Sequence, residues 1–182
     1  MAVIIAHVLW TASLLSQPAR ATTEIVLSTL MRDTDRAKNL VLTPSSLIGM
    51  STIIPGAWIR WQCYRALKSQ FTAELSIQKN HKLITTGPYR FVRHPSYSGI
   101  LMALPGMVCW FGGRGSWLRE SGVLDTVAGS AFFYAFALFL GTTISVGVSR
   151  MGREDKELKG FFGEEWDKWA SRVQYRLMPG VY

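Results

Sequence analysis

The chain has 182 residues, a net charge of +8, 48% hydrophobic and only 18% charged residues, and a mean hydropathy of +0.15. That length is one domain's worth, the apolar content excludes disorder, and the low charged fraction points to a small membrane protein. Two cysteines, Cys63 and Cys109, with no CxxC pair exclude a disulfide scaffold and a cysteine-based zinc site, so no metal is expected.

In chain order, residues 1–16 are apolar, with His7 the sole ionisable side chain. A cleaved signal peptide and a first membrane helix both fit; the lack of Lys or Arg ahead of the run favours the helix. Residues 40–59 are of membrane length and carry Pro44, Gly49, Pro55 and Gly56, which membrane helices tolerate. The segment 60–95 then holds seven basic residues against one acid, Glu74. Lying between apolar runs, that charge marks a cytoplasmic membrane face, and nucleic acid is not an expected partner. Residues 96–112, interrupted by Pro105, form the third apolar segment.

Residues 122–148 form the fourth, with Asp125 its only charge. An acid there is a functional-site candidate by default, although its place near the start favours snorkelling to the far interface. Cys63 and Cys109 read as small buried apolar residues. From Glu154 to Tyr175 the recurrence of Leu158, Phe161, Phe162, Trp166, Trp169 and Val173 predicts an amphipathic helix, lying in the headgroup region or packed on its own protein. The expected fold is all-α, a polytopic membrane bundle of about four helices in one domain, 1–182. Four crossings put 60–95 and 150–182 on one side with seven basic residues each, against six in 17–39 and 113–121 together. That asymmetry predicts cytosolic placement for those two segments and for both termini.

Polar, ring-bearing and turn-forming residues concentrate from His81 to Gly99, where Gly87-Pro88 and His94-Pro95 break regular structure and force a loop. A second dense patch, Arg150, Arg153, Glu154, Asp155 and Glu157, follows the last apolar run. The first patch has the form H-x-L-[VI]-x-x-G-P-Y-x-x-x-R-H-P-S-Y-x-G. The second runs from Arg150 through Glu154, Asp155, Leu158 and Phe162-Gly163-Glu164-Glu165-Trp166, followed by Arg172-Val173 and Pro179-Gly180. Together they resemble the isoprenylcysteine carboxyl methyltransferase family, whose relatives include phospholipid N-methyltransferases. The resemblance is strong over 71–182 and weak over 1–60.

The resemblance implies S-adenosylmethionine as methyl donor, held in cytosolic loops of an integral membrane protein, with the endoplasmic reticulum as location. His81, Lys82, Leu83 and Ile84 would contact the cofactor, partly through backbone groups. Tyr89, His94, Pro95, Ser96 and Tyr97 would complete its pocket, and Glu154 would add a further contact. Arg150 would orient the acceptor carboxylate. The partners so implied are proteins ending in a prenylated cysteine, and the lipid bilayer.

The chemistry agrees with those residue types. A carboxylate holds a hydroxyl or ammonium by charge-assisted hydrogen bonds, tyrosine faces suit adenine or a sulfonium, and arginine offers a planar fork to a carboxylate. Blander roles fit the same residues: loop capping for His81 and His94, belt aromatics for Tyr89 and Tyr97, helix-end anchors for Arg150 and Arg153, and first-turn acids for Glu154 and Asp155. Three functions remain: methylation of a prenylcysteine carboxylate, methylation of a phospholipid amine or other small membrane acceptor, and a catalytically silent membrane scaffold. The spacing from Arg150 to Gly163 and the run Phe162 to Glu165 lean toward the first.

Overall fold

The computed structural model describes residues 25–32, 34–68 and 82–181. The expectation for residues 1–16 therefore lies outside the described residues, as does His81. Among the described residues there is no strand, in agreement with the all-α expectation. The longer helices are α1 (Pro44–Leu67), α2 (Pro95–Gly112), α3 (Val127–Phe162) and α4 (Glu164–Arg172). Pro44 and Pro95 each open a helix, where the missing N–H costs nothing and the fixed φ is already helical.

The chain divides into two compact units, one built from residues up to 51 and from 105–139, the other from 52–104 and 140–182. In the first, Leu27, Met31, Ala37 and Leu40 form a small core with Leu30 and Trp117 packed against it. Gly115, at φ 77, brings the backbone so close to Val41 that a Cβ would lie 2.3 Å from its carbonyl oxygen. Asp125 sits in a short turn, Val123–Asp125, where it pairs with Arg36 at the surface. An exposed ion pair of this kind contributes little stability.

The second unit is organised by small residues. Gly56 of α1 and Gly99 of α2 approach so closely that a Cβ on either would lie 2.6 Å from the other's carbonyl oxygen, and Ala103 completes the contact. Such small-residue seams let helices meet where no hydrophobic driving force acts between them. The buried stripe of α3 in this unit runs Gly147, Met151, Asp155 at four-residue spacing. Beyond Gly163, at φ 53, α4 buries Trp166 and Trp169 together with Val173.

Three expectations need correction. Pro105 lies inside α2 and does not interrupt it. The helix expected to end at residue 148 continues to Phe162, because Met151, Asp155, Leu158 and Phe162 keep its inward stripe in phase. The tail is accordingly no single helix from Glu154 to Tyr175; the break falls at Gly163, and Glu154 and Asp155 are not first-turn acids. Leu158, Phe162 and Ala170 pack against the Trp166, Trp169 and Val173 cluster, so most of the tail's apolar face is covered by its own unit, with Phe161 left exposed.

Among the described residues one helix, α3, is long and apolar enough to cross a membrane. It has no charged side chain between Val127 and Ser149, and it turns Phe132, Leu138, Phe139 and Val146 outward. An apolar surface of that extent is disfavoured by water and suited to lipid.

Candidate functional site

The loop 82–94, the start of α2, the charged end of α3 and the tail after α4 assemble one polar cluster inside the second unit. The loop turns at Gly87, whose φ of 62 favours glycine, into a short 3-10 turn, Gly87–Arg90, with Pro88 in its first positions. The tail then ties the loop down. Arg93 N–H donates to the Tyr175 carbonyl at 2.9 Å, His94 N–H to that of Arg176 at 2.8 Å, and the Ser98 hydroxyl to that of Leu177 at 2.5 Å. These bonds satisfy backbone groups at the helix entrance that burial would otherwise leave unpaired.

His94 and Asp155 stand at the centre, each 6% exposed. His94 Nε2 lies 3.0 Å from Asp155 Oδ1, and Nδ1 lies 3.5 Å from Glu154 Oε2. Asp155 Oδ2 is also within 3.1 Å of Arg93 Nη1 and 3.3 Å of Arg176 Nε. Glu154 accepts the Tyr97 hydroxyl at 2.5 Å, and Arg150 Nε lies 3.7 Å from the same carboxylate oxygen. Both acids lie beyond the uncharged stretch of α3.

Burial opposes charge on all three groups, but pairing outweighs it. Desolvation would lower the His94 pKa, yet hydrogen bonds to Asp155 and Glu154 hold it above its ordinary value. Desolvation would raise Glu154, yet hydrogen bonds from His94 and Tyr97, with the His94 and Arg150 charges, hold it low. Asp155 is likewise held low against its burial by His94, Arg93 and Arg176. Pairing thus favours the charged form of each group, and the acceptors are already oriented.

His94, Pro95, Ser96, Tyr97, Arg150 and Glu154 thus come together from the two sequence patches. Pro95 is fully buried at the start of α2, and Ser96 accepts from Arg60 of α1 at 3.1 Å. Gly147 makes room for the Tyr97 ring, since a Cβ there would touch it at 3.0 Å. Leu83 and Tyr89 pack against Trp166 and Trp169, and the Trp169 indole N–H donates to the Tyr89 carbonyl at 3.2 Å, while the Tyr89 side chain pairs with Cys63 and lies in the field of Glu154. Lys82 is exposed and Ile84 half-buried.

Asp155, Arg93, Arg176 and Arg60 were not singled out as site residues from the sequence. The signal for Asp155 was present: it continues the four-residue stripe of Gly147 and Met151 once the helix is carried past Arg150. Arg93 lies inside the first patch, beside His94. Nothing local marks Arg60 or Arg176, which are brought in by the helix seam and by the tail.

The family resemblance is borne out, and the family model covers the first patch and part of the segment ahead of it, not the second patch. The isoprenylcysteine carboxyl methyltransferase family model matches residues 47–113. A probable protein-S-isoprenylcysteine O-methyltransferase of Oryza sativa subsp. indica is 33% identical over 134 residues, 72% of this chain and 60% of the relative. Protein-S-isoprenylcysteine O-methyltransferase B of Arabidopsis thaliana is 30% identical over 133 residues, covering 70% and 56%. The chain therefore spans less than two thirds of the length of these curated relatives. The Delta(14)-sterol reductase erg24 of Schizosaccharomyces pombe is 27% identical over 108 residues, 59% of this chain and 21% of that protein. No solved structure matches significantly.

Proposed function

We propose that this relative of the isoprenylcysteine carboxyl methyltransferases methylates the C-terminal α-carboxylate of a prenylated cysteine, using S-adenosylmethionine. The observation that carries this is the joining of both family patches by Tyr97, His94, Glu154 and Arg150. The residues fit the cofactor: Glu154 is a partly exposed carboxylate, ionised and pre-oriented, which suits an ammonium or ribose hydroxyl, and the Tyr97 ring lies beside it. Bound there, S-adenosylmethionine would supply an electrophilic methyl on a sulfonium.

The chain's own part is binding and orientation. An α-carboxylate, with a pKa near 3.5, is already an anion at neutral pH and needs no base. Arg150, at the end of the uncharged stretch of α3, would orient it by a planar fork. An amine acceptor would have to lose a proton. A carboxylate acceptor places no such demand on the chain.

This reading includes the finer topology: about four membrane crossings in a single domain, both termini and the cofactor loops in the cytosol, and the endoplasmic reticulum as membrane. His81, Lys82, Leu83, Ile84 and Tyr89 remain proposed cofactor contacts of the loop, with Pro95 and Ser96 at its end. The similarity to a sterol reductase favours one second function, reduction of a membrane lipid, which needs a hydride donor in place of a methyl donor.

Transfer of tritium from labelled S-adenosylmethionine to an N-acetylated prenylcysteine, in membranes containing the chain, tests the proposal. Base-labile methyl ester is the expected product. Label in phosphatidylethanolamine instead would refute the acceptor, and absence of S-adenosylmethionine binding would leave the reductase or the silent scaffold.

A further inference from the structure

Along its exposed side α1 changes character within the second unit. Ile54 is aliphatic, Trp58, Trp61 and Tyr64 are aromatic, and Arg65, with Lys68 just past the helix end, is basic, all of them exposed. Hydrocarbon, then rings, then cations is the order in which a helix leaves a bilayer, with Trp and Tyr at headgroup depth. Beside the last turns of α1 lies the 3-10 turn at Gly87–Arg90, where a Cβ on Gly87 would touch Ala66 at 3.9 Å.

Between α1 and this turn runs an open groove of about 650 Å³, lined by Trp58, Gln62, Arg65, Thr86, Arg90 and Phe91 among others. No residue of the His94–Glu154 cluster lines it. Its two cations are both stacked on rings: Arg65 Cζ lies 4.7 Å from the Trp61 ring centre, and Arg90 Cζ 5.1 Å from that of Phe91. Stacking covers a face of each guanidinium and leaves its N–H edge for an anion. Among the described residues neither forms an ion pair.

We propose that this groove holds the headgroup of an anionic glycerophospholipid of the surrounding membrane. Arg65 and Arg90 bind the phosphate by charge-assisted hydrogen bonds, and Trp58 and Phe91 lie against the glycerol and upper acyl carbons. A free phosphate ion would use the two arginines but leave these exposed rings, 57% and 61% accessible, in water. The proposal rests on the membrane placement of α1 and is independent of methyl transfer.

Native mass spectrometry of the full chain in detergent tests it, with phosphatidylglycerol, phosphatidylcholine and inorganic phosphate as titrants. One phosphatidylglycerol is expected to bind several-fold more tightly than phosphatidylcholine, with inorganic phosphate not retained. Arg65→Gln with Arg90→Gln should weaken phosphatidylglycerol on the order of tenfold and erase the preference. Arg114→Gln with Arg119→Gln removes the same charge elsewhere and should preserve it. Melting temperature without lipid reports folding of each variant. If the double glutamine variant does not fold, Arg65→Lys with Arg90→Lys, which keeps charge but loses the fork, should lower the preference instead.

Equal binding of the two lipids, equal loss in the Arg114 and Arg119 variant, or retention of inorganic phosphate as tight as that of phosphatidylglycerol would each overturn the proposal. Release of the chain from membranes by carbonate would overturn the membrane placement itself.

Discussion

Asp155→Asn removes one charge, keeps the side-chain shape and leaves two arginines and a histidine without their anion. Those neighbours are His94 at 3.0 Å, Arg93 at 3.1 Å and Arg176 at 3.3 Å, around a carboxylate whose side chain is 8% exposed. Removing one partner from a fully buried ion network costs about 3–5 kcal/mol. The Arg176 side chain is 35% exposed, so water offsets part of that loss, and the retained amide carbonyl still accepts one bond. A cost of about 2–3 kcal/mol remains. For a chain of this length, 1 kcal/mol corresponds to about 2–4 °C, so the melting temperature should fall by about 4–12 °C. Tryptophan fluorescence during heating in detergent at pH 7 measures it. A fall of less than about 2 °C would show that Asp155 does not hold the loop, the helix and the tail together.

Glu154→Gln should lower the melting temperature less than Asp155→Asn, since Glu154 is the more exposed of the two, and weaken S-adenosylmethionine on the order of ten- to a hundredfold by equilibrium dialysis, through loss of a charge-assisted bond; unchanged affinity removes Glu154 from the pocket. Arg150→Lys should keep cofactor affinity and lose on the order of a hundredfold in turnover, because the charge stays while the fork is lost; full activity would return Arg150 to a helix-end anchor. The cluster should also shape stability against pH. The raised His94 contributes fully below its ordinary 6.5 and loses that contribution as pH rises through its higher folded value, whereas the lowered Glu154 and Asp155 contribute fully above 4.5 and 3.8 and lose it as pH falls. Melting temperature should therefore be highest between those ranges and decline as pH rises above 6.5, and His94→Gln should flatten that decline.

The entry to α2 at Pro95 was legible because proline suits a first turn and few other positions. Pro44, read as a proline inside a segment beginning at residue 40, opens α1 for the same reason. The interior proline misled, since Pro105 removes one hydrogen bond without ending α2. The far end of α3 was hidden by composition: Arg150, Arg153, Glu154 and Lys156 read as an exit from lipid, although the inward stripe continues on the other face. Half of the site was readable because His94, Tyr97, Glu154 and Arg150 fall within two motifs. Their pairing was not readable, since His94 and Asp155 stand 61 positions apart and meet only through helix packing. Arg176 depends on where the tail returns, which no local rule specifies.

The three bonds from the tail carbonyls of Tyr175, Arg176 and Leu177 to the loop and α2 bear on the order of biosynthesis. Translation delivers the His94 loop long before those carbonyls exist, so α1 and α2 emerge while the loop still lacks its backbone partners. The polar cluster is completed only after residue 177 has cleared the ribosome. A nascent chain stopped before Tyr175 would contain every residue assigned to the pocket, yet present them unanchored.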